Sequence, residues 1–298
     1  MPQPLHTLGT LLFLAGLGLS STAHATVTTV DDARHTIILS KPAQRIISLA
    51  PHATELLFEV GAGPLLVGVS DYSDYPEQAK KISSVGSIFA LDIERVIALK
   101  PDLVVLWGTG NAKLLANKLR GIHVSVFESE PSNFEMIASS LERLSILTGT
   151  EITGKTAAAK FRARLESLRK TYQTSGTAKP ISVFYQVWSK PLMTLNDQHL
   201  VSTAIRLCGG KNVFADLKEI SPTVSTEAVL AENPQAIVTS MGEKQDMLAD
   251  WRQFPHLSAV SKGNLFTLKS DLIIRAGPRV LDGTEELCKH LATARAKL

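Results

Sequence analysis

The chain has 298 residues, of which 44% are hydrophobic and 20% are charged. These values exclude a disordered chain, and the length allows two modest domains, each with its own core. The formal net charge is only +3, and the basic residues are dispersed rather than gathered into a stripe with interleaved aromatic side chains. The composition therefore excludes nucleic acid as the expected partner.

Residues 1–25 contain no Asp, Glu, Lys or Arg. An apolar run from Leu8 to Leu19 is followed by small residues that end in Ala23-His24-Ala25. This pattern predicts a secretory signal peptide with a small-x-small cleavage site, since its apolar core is too short to span a bilayer. A buried N-terminal helix is the alternative. Because no cysteine stands at the cleavage site, we expect no lipid anchor. We expect the mature protein to be soluble and exported.

Cys208 and Cys288 are the only two cysteines of the chain. In an oxidising compartment, an isolated pair predicts one disulfide bond. Closing this loop would stabilise the fold by roughly 4–5 kcal/mol in the chain-entropy model. Two buried free thiols are the alternative. No metal site is expected, because neither cysteine belongs to a C-x₂₋₄-C pair, the spacing that is typical of structural zinc sites.

The segment after the predicted signal is typical of a β-hairpin that runs from Thr26 to Leu39, with Asp31-Asp32 near its turn. The next segment, IISLAPHATELLFEVGAG at residues 46–63, predicts a strand, a polar loop over Pro51–Thr54 and then a short helix. Open α/β sheets bind ligands at the carboxyl ends of their strands. The loop is therefore expected to form one wall of a ligand cleft.

Two stretches of the chain are alike: ERVIALKPDLVV at residues 94–105 and EAVLAENPQAIV at residues 227–238. Each predicts a short helix, a proline-marked turn and a buried strand. A strand, a polar loop, a helix and a pair of glycines precede each copy. The repetition predicts two α/β lobes of related plan.

Residues 151–173 predict one long helix between the lobes. Apolar side chains recur at three- and four-residue spacing, basic residues occupy the other face, and the segment contains no proline. A single helix of this kind implies a stiff hinge. We expect an N-terminal lobe with its hairpin over residues 26–148, a connecting helix over 149–178 and a C-terminal lobe over 179–298. The expected fold class is α/β, with two Rossmann-like lobes joined by one long rigid helix.

No catalytic motif accompanies this architecture. The sequence lacks a G-x-S-x-G elbow, an H-E-x-x-H zinc helix and a phosphate-cradling glycine loop. The carboxylate pairs Asp31/Asp32 and Asp71/Asp74 lie in turn-rich segments, where Asp is favoured for local hydrogen bonding. We therefore expect a protein that is not an enzyme and that needs neither a metal nor a cofactor. We also expect it to be a monomer.

Five segments of the chain occur in an order that is typical of one family: PAQRIISLAPHATELLFEVGAG, VGVSDYSDYPEQAKKISSVGS, LDIERVIALKPDLVVLWG, LCGGKNVFAD and SDLIIRAGPR. They resemble the periplasmic substrate-binding proteins of ABC importers for large metal-chelate ligands, cobalamin receptors among them. The resemblance covers roughly residues 42–292. It implies that a ligand is held between the lobes and passed unchanged to an inner-membrane permease.

Glu94 and Glu227 occupy the same position in the two similar stretches. In the family, the matching carboxylates, one per lobe, dock against arginines of the permease, and the resemblance implies this role for both residues. Two exposed carboxylates at equivalent positions also suit a two-fold partner of opposite charge. An ordinary acid in the first turn of a helix, favoured by the helix dipole, is the alternative.

The resemblance also implies where the ligand binds. Tyr72 and Trp107 match a tyrosine and a tryptophan of the family's cleft, and Asp271 matches an acid that hydrogen-bonds the ligand. Trp188 follows the corresponding strand of the second lobe and is a third aromatic candidate. The alternatives are packing at the rim for the three rings and a capping or turn role for Asp271.

The sequence motifs indicate the family more specifically than they indicate the ligand. Cobalamin receptors carry aromatic residues where this chain has aliphatic or small ones, namely Ile88, Ser221, Leu272 and Ile273. Cobalamin or a related corrinoid is the expected ligand, with haem, an iron–siderophore or another cofactor-sized molecule as the alternative within the same class.

Haem receptors of this type offer an axial Tyr or His, a role open to Tyr72, Tyr75 and His52. An exported enzyme of unfamiliar reaction is the alternative from another class, and it predicts a base and a nucleophile within hydrogen-bond reach across the cleft.

Overall fold

The structure, a computed structural model, describes residues 26–87, 90–108, 111–172, 179–240 and 246–298. The predicted signal peptide lies outside the described residues. Within these five ranges, no helix has both the length and the apolar character needed to cross a membrane.

The strands of the described part of the chain are short and distributed over both halves. They are β1 (Val27–Val30), β2 (Thr36–Leu39), β3 (Ile46–Ser48), β4 (Leu66–Val69), β5 (Gly86–Ser87), β6 (Ala90–Leu91), β7 (Leu103–Leu106), β8 (Ser125–Glu128), β9 (Ile181–Gln186), β10 (Trp188–Ser189), β11 (Leu192–Met193), β12 (Gly210–Asn212), β13 (Ala236–Thr239) and β14 (Leu265–Thr267).

The helices connect these strands. They are α1 (Pro51–Glu59), α2 (Ile93–Ala98), α3 (Asn111–Gly121), α4 (Phe134–Thr148), α5 (Glu151–Tyr172), α6 (Leu200–Leu207), α7 (Thr226–Glu232), α8 (Ser258–Ser261), α9 (Ser270–Ile273) and α10 (Val280–Arg295), with short 3₁₀ helices at Gly63–Leu65, Glu77–Lys81 and Ala249–Gln253.

Each half contains one four-stranded parallel sheet, and the two sheets have the same strand order. The order is β4-β3-β7-β8 in the first half, called lobe one, and β12-β9-β13-β14 in the second half, called lobe two. In both sheets the first strand along the chain lies between the second and the third. The two similar stretches of sequence form α2 with β7 and α7 with β13, the third strand of each sheet. The prediction of two related α/β lobes is confirmed.

The strands are buried on both faces because helices cover both sides of each sheet. Along β7, Leu103 and Val105 belong to the core beneath α1 and α4, whereas Val104 and Leu106 pack with residues of α2 and α3. Successive side chains of a strand point to opposite faces, so one short apolar run serves both layers. This explains why the strands read as continuous hydrophobic runs.

The predicted hairpin and disulfide are both present. Strands β1 and β2 pair antiparallel, and Asp31 and Asp32 stand at the turn. Cys208 at the end of α6 is bonded to Cys288 in α10. The bond therefore lies within lobe two and ties two of its helices together.

The predicted polar loop at Pro51–Thr54 is wrong. These residues form the first turn of α1, which begins at Pro51 directly after the extended residue Ala50. Proline is favoured at the first helical position because its ring fixes a helical φ and its missing N–H would have no partner there. His52, Ala53 and Thr54 are buried, so this turn packs into the lobe instead of forming an open loop.

Helix α5 spans Glu151–Tyr172, as the apolar spacing predicts. It packs tightly on α4 at Gly154, where an added Cβ would clash with the side chain of Ser145. The helix also packs against α6 and α10 of lobe two. It therefore contacts both lobes. The predicted domain limits, 26–148, 149–178 and 179–298, stay a prediction.

Candidate functional site

The candidate site is built from segments that follow the carboxyl ends of the parallel strands. In lobe one these segments carry Tyr72 after β4 and Trp107 after β7, and in lobe two they carry Trp188 after β9 and Asp271 after β14. An ion pair joins two of the segments across the lobes, since Arg275 donates from Nη1 to Oδ1 of Asp74 at 2.7 Å. The segments after β4 and β14 therefore meet at the boundary between the lobes.

Tyr72 and Trp188 are both exposed aromatic side chains, at 81% and 45% of their surface. Tyr72 has a left-handed backbone with φ of 63°, which is uncommon for a bulky residue and turns the chain sharply after β4. Trp188 lies in the short β10–β11 hairpin, where its Nε1 donates to the carbonyl oxygen of Lys190 at 3.0 Å. Both rings keep large apolar surfaces open to a ligand.

Trp107 is half-buried and packs on lobe one. Its ring meets the edge of the His52 ring with 4.9 Å between the centroids. His52 Nε2 lies 3.1 Å from the carbonyl oxygen of Ser129, which can only accept, so this nitrogen carries the proton. Burial lowers the pKa of His52 to about 4 because it penalises the imidazolium. His52 is thus a neutral support beneath Trp107 and does not face the cleft as an axial haem ligand.

The His52 ring also lies 3.1 Å from the Ser129 hydroxyl, a spacing that a nucleophile and its base would have. The two side chains are 2% and 0% exposed and belong to the same lobe. Because Nε2 already donates to the Ser129 carbonyl, it has no lone pair with which to accept the hydroxyl proton. This pair therefore lacks the property that defines a nucleophile and its base.

Asp271 is held by an arginine of its own lobe. Arg279 donates from Nη1 to Oδ2 of Asp271 at 3.0 Å and from Nε and Nη2 to the two oxygens of Glu55 at 3.0 and 2.7 Å. The guanidinium also lies 3.9 Å from the centroid of the Tyr75 ring. These carboxylates raise the pKa of Arg279, chiefly through the hydrogen bonds to Glu55. Asp271 does not cap α9, so the alternative capping role is not what the structure shows.

The residues that this cluster adds were not predicted as site residues. Glu55, Asp74 and Arg275 join Arg279 at the boundary between the lobes, and the hydrogen bond from Arg275 lowers the pKa of Asp74. Both arginines stand in the segment SDLIIRAGPR, but their partners lie about 200 positions earlier in the chain. No local spacing in the sequence indicates such pairing.

The positions where aromatic residues were expected have different environments. Ser221 is exposed, and Leu272 is partly buried. Ile273 is fully buried in the core, whereas the next residue, Ile274, is 41% exposed. Ile88 lies outside the described residues. In the α9 segment, the aliphatic surface that a ligand could reach therefore belongs to Leu272 and Ile274 rather than to Ile273.

Glu94 and Glu227 are the second residues of α2 and α7, and both are exposed. Each helix begins with a side-chain cap, from Asp92 to the backbone N–H of Arg95 and from Ser225 to that of Ala228. Hydrogen bonds from its own N–H and from Ser225 hold the pKa of Glu227 below its usual range. The equivalence predicted from the repeat thus extends to helix position, exposure and capping.

One group of possible metal ligands is present among the described residues: Asp31, His35 and Glu128. Arg120 Nη2 lies 2.8 Å from Oε1 of Glu128, 3.2 Å from Nδ1 of His35 and 3.5 Å from Oδ2 of Asp31. The guanidinium therefore stands where a metal ion would be. We interpret the group as an ion-pair cluster that anchors the N-terminal hairpin.

A cavity of about 470 Å³ lies within lobe two, between the β10–β11 hairpin and the 3₁₀ helix Ala249–Gln253. The described residues that line it, Lys190 and Trp251 among them, all belong to lobe two. It is therefore distinct from a cleft between the lobes.

Comparison with known proteins agrees with this architecture. The family model described as periplasmic binding protein matches residues 46–272. The chain belongs to the periplasmic binding protein family. It is 40% identical to the vitamin B12-binding protein of Vibrio cholerae serotype O1 over 258 residues, which cover 85% of this chain and 91% of that protein. A vitamin B12-binding protein of Yersinia pestis is 38% identical over 261 residues, with 86% and 90% covered.

Comparison with solved structures also supports this fold. The crystal structure of the periplasmic vitamin B12-binding protein BtuF of Vibrio cholerae matches with a TM-score of 0.77 at 40% identity, covering 85% of this chain and 98% of that one. A periplasmic haem-binding protein, RhuT of Roseiflexus, matches with a TM-score of 0.73 at 22% identity, covering 85% and 99%. The second likeness shows only that the fold is shared. The predicted family and fold class are confirmed.

Proposed function

We propose that the protein captures cobalamin or a related corrinoid between its lobes and delivers it, chemically unchanged, to an inner-membrane ABC permease. The observation that carries the proposal is the position of exposed aromatic rings after the strands of both sheets, together with 40% identity to a vitamin B12-binding protein. Arg275 and Asp74 bring the segments after β4 and β14 together, so Tyr72 lies two residues from this meeting point. A transport role also agrees with the inert geometry around His52.

In this proposal Tyr72, Trp107 and Trp188 pack on the faces of the corrin ring, and Asp271 accepts a hydrogen bond from a peripheral amide. The main forces are dispersion and the removal of apolar surface from water, with few polar contacts that set orientation. Leu272 and Ile274 supply aliphatic surface where related receptors were expected to have rings. The carboxylate of Asp271 keeps its orientation through Arg279.

Calorimetry of the mature protein with cyanocobalamin, haemin and a ferric siderophore tests the ligand. We expect a measurable heat of binding for cyanocobalamin and none of comparable affinity for the other two. If the protein binds only haemin or only the siderophore tightly, the proposed ligand is wrong, but the protein remains a transport-binding protein. Exposed Tyr72 is the residue to mutate in that case, because His52 is buried beneath Trp107.

Trp107→Ala tests the aromatic contact. We expect the affinity for cyanocobalamin to fall roughly ten- to a hundredfold, which corresponds to about 1–3 kcal/mol. Trp107→Phe should recover most of the loss, and Ile152→Ala, at a side chain that is 86% exposed on α5, should leave the affinity unchanged. Circular dichroism checks that each variant is folded. Unchanged affinity in folded Trp107→Ala would remove this residue from the site.

Docking through Glu94 and Glu227 is a separate part of the proposal. The double variant Glu94→Ala/Glu227→Ala should bind the ligand with unchanged affinity, while the complex with the permease weakens and uptake slows, because two exposed carboxylates no longer meet cations. Glu232→Ala, at the opposite end of α7, is the matched control. Loss of ligand affinity in the double variant would place these residues in the pocket or the core instead.

A further inference from the structure

One guanidinium is shared by side chains of both lobes. Arg279 belongs to lobe two and directly precedes α10. Its hydrogen bonds reach Glu55 of lobe one at 2.7 and 3.0 Å and Asp271 of lobe two at 3.0 Å, and its face covers the ring of Tyr75 of lobe one at 3.9 Å. All three nitrogens of the side chain are used. Arg279 is therefore joined to each of the segments that bring the lobes together.

The central bond of this cluster is buried. The Glu55 side chain is 2% exposed and that of Arg279 is 16% exposed, and they pair through two parallel hydrogen bonds. A bidentate pair of this kind fixes the relative orientation of its partners as well as their distance. Glu55 stands on α1, whose first turn also holds His52 beneath Trp107. The pair thus ties the helix that supports the lobe-one site to lobe two.

The backbone of lobe two approaches the same carboxylate. At Gly277, an added Cβ would lie 3.2 Å from Oε2 of Glu55, which is tighter than an ordinary contact. Arg275 reaches Glu55 only at 3.4 Å and pairs better with the half-exposed Asp74 at 2.7 Å. The two arginines are almost equally exposed, but Arg275 pairs mainly with the more exposed Asp74, whereas Arg279 makes the shorter bonds to the buried Glu55.

We propose that Arg279 is a positioning residue that sets the angle between the two lobes, so that Tyr75 of lobe one and Asp271 of lobe two are held on either side of one cation before any ligand arrives. Helix α5 limits the hinge, and the Glu55–Arg279 pair selects one orientation within that limit. The role of Asp271 toward the ligand rests on the proposed function, whereas the angle between the lobes does not.

The angle can be measured without ligand by spin-label distance spectroscopy. Labels at Lys118→Cys on α3 and Lys262→Cys after α8 report on the two lobes, since both positions are exposed and the two native cysteines are bonded to each other. We expect a single narrow distance distribution in the parent protein and a broadened or shifted one in Arg279→Gln. Arg162→Gln is the matched control, because Arg162 of α5 binds two carboxylates, Glu135 and Glu142, that both lie on α4.

Arg279→Gln leaves Glu55 as an unpaired buried charge. If that variant fails to fold for this reason, two further variants still test the proposal. Glu55→Gln/Arg279→Gln removes both charges and should broaden the distribution in the same way. Arg279→Lys keeps the charge but loses the bidentate fork, and it should give an intermediate result. A purely structural role would lower the melting temperature of Arg162→Gln and Arg279→Gln alike and would leave the distance distribution of both unchanged.

Ligand binding gives the second readout. If the working angle is populated only a tenth of the time in Arg279→Gln, the dissociation constant for cyanocobalamin rises about tenfold, and Arg162→Gln should show no such change. An unchanged distance distribution in a folded variant that lacks Arg279 would overturn the proposal, even if affinity fell, because Arg279 would then act as a ligand contact. If the parent protein binds no corrinoid, the proposed function fails, but a broadened distribution still supports the role of Arg279.

Discussion

The two lobes share a strand order but are secured by different chemistry. In lobe one, the hairpin turn closes over the edge strand β8, where Asp31 accepts from the backbone N–H of Glu128 at 3.2 Å and Asp32 from that of Glu130 at 2.6 Å. In lobe two, the Cys208–Cys288 bond ties α6 to α10 instead. The two lobes thus share one sheet topology but stabilise their outer layers by different interactions. We expect the lobes to respond differently to reduction and similarly to acid.

The largest effect should come from breaking the covalent tie of lobe two. The variant Cys208→Ser/Cys288→Ser should lower the free energy of unfolding by roughly 4–5 kcal/mol, because the unfolded chain regains the entropy of a long loop. Urea denaturation of the variant and of the oxidised parent measures the difference. Lobe one has no such bond to lose, so hydrogen exchange should rise mainly in lobe two. Equal increases in both lobes would contradict this.

Acid should weaken both lobes through histidines whose pKa is lowered by burial, namely His52 in lobe one and His199 and His290 in lobe two. Burial lowers the pKa of His52 in lobe one and of His199 in lobe two to about 4, against about 6.5 when unfolded. The unfolded chain therefore binds more protons between pH 6.5 and 4, and stability is lost as the pH falls through that window. From pH 7 to pH 5, a fully buried histidine of this kind costs roughly 2 kcal/mol.

The histidines can be separated by substitution. His52→Gln should remove its share of the pH dependence of unfolding, measured by urea denaturation at pH 7 and pH 5. His199 caps α6 through Nδ1, which accepts from the N–H of Val201, and it is less buried than His52. Because burial lowers the pKa of both residues to about 4, the share of His199 should be similar in size. A pH dependence that survives unchanged in His52→Gln would show that other groups cause it.

The smallest effect concerns the ends of the two equivalent helices. Lys100 after α2 and Asn233 after α7 both precede a proline and both have left-handed backbones, with φ of 47° and 42°. Asn tolerates this conformation better than Lys does. Lys100→Asn should therefore raise the free energy of unfolding by roughly 0.5 kcal/mol, as followed by thermal unfolding.

The reverse change sharpens the comparison. Asn233→Lys should lower the free energy of unfolding by roughly 1 kcal/mol, since it also loses the hydrogen bond from the N–H of Ser258 to Oδ1 of Asn233. If both substitutions are neutral, the two turns are not under the strain that their φ angles indicate.

Local pattern and covalent chemistry were enough to predict most of the architecture. The hairpin before β3, the two similar helix–strand units and helix α5 all depend on spacing within a dozen or so neighbouring residues. The disulfide follows from the two cysteines of a chain that is predicted to be exported. Pro51 at the first helical position is a readable signal for the start of α1, but proline also occurs in loops, and the polar side chains of His52 and Thr54 favour a loop in the sequence pattern.

The site depended on distances that no local pattern contains. Glu55 and Arg279 are 224 positions apart, and only the packing of α1 against the segment before α10 makes them a pair. Burial likewise separates Ile273, which faces the core, from its neighbour Ile274, which is 41% exposed. The sequence determined the strands, the repeats and the family, because these rest on neighbouring residues. The tertiary structure decided which charges neutralise one another between the lobes, since a buried carboxylate is stable only where folding places a cation beside it.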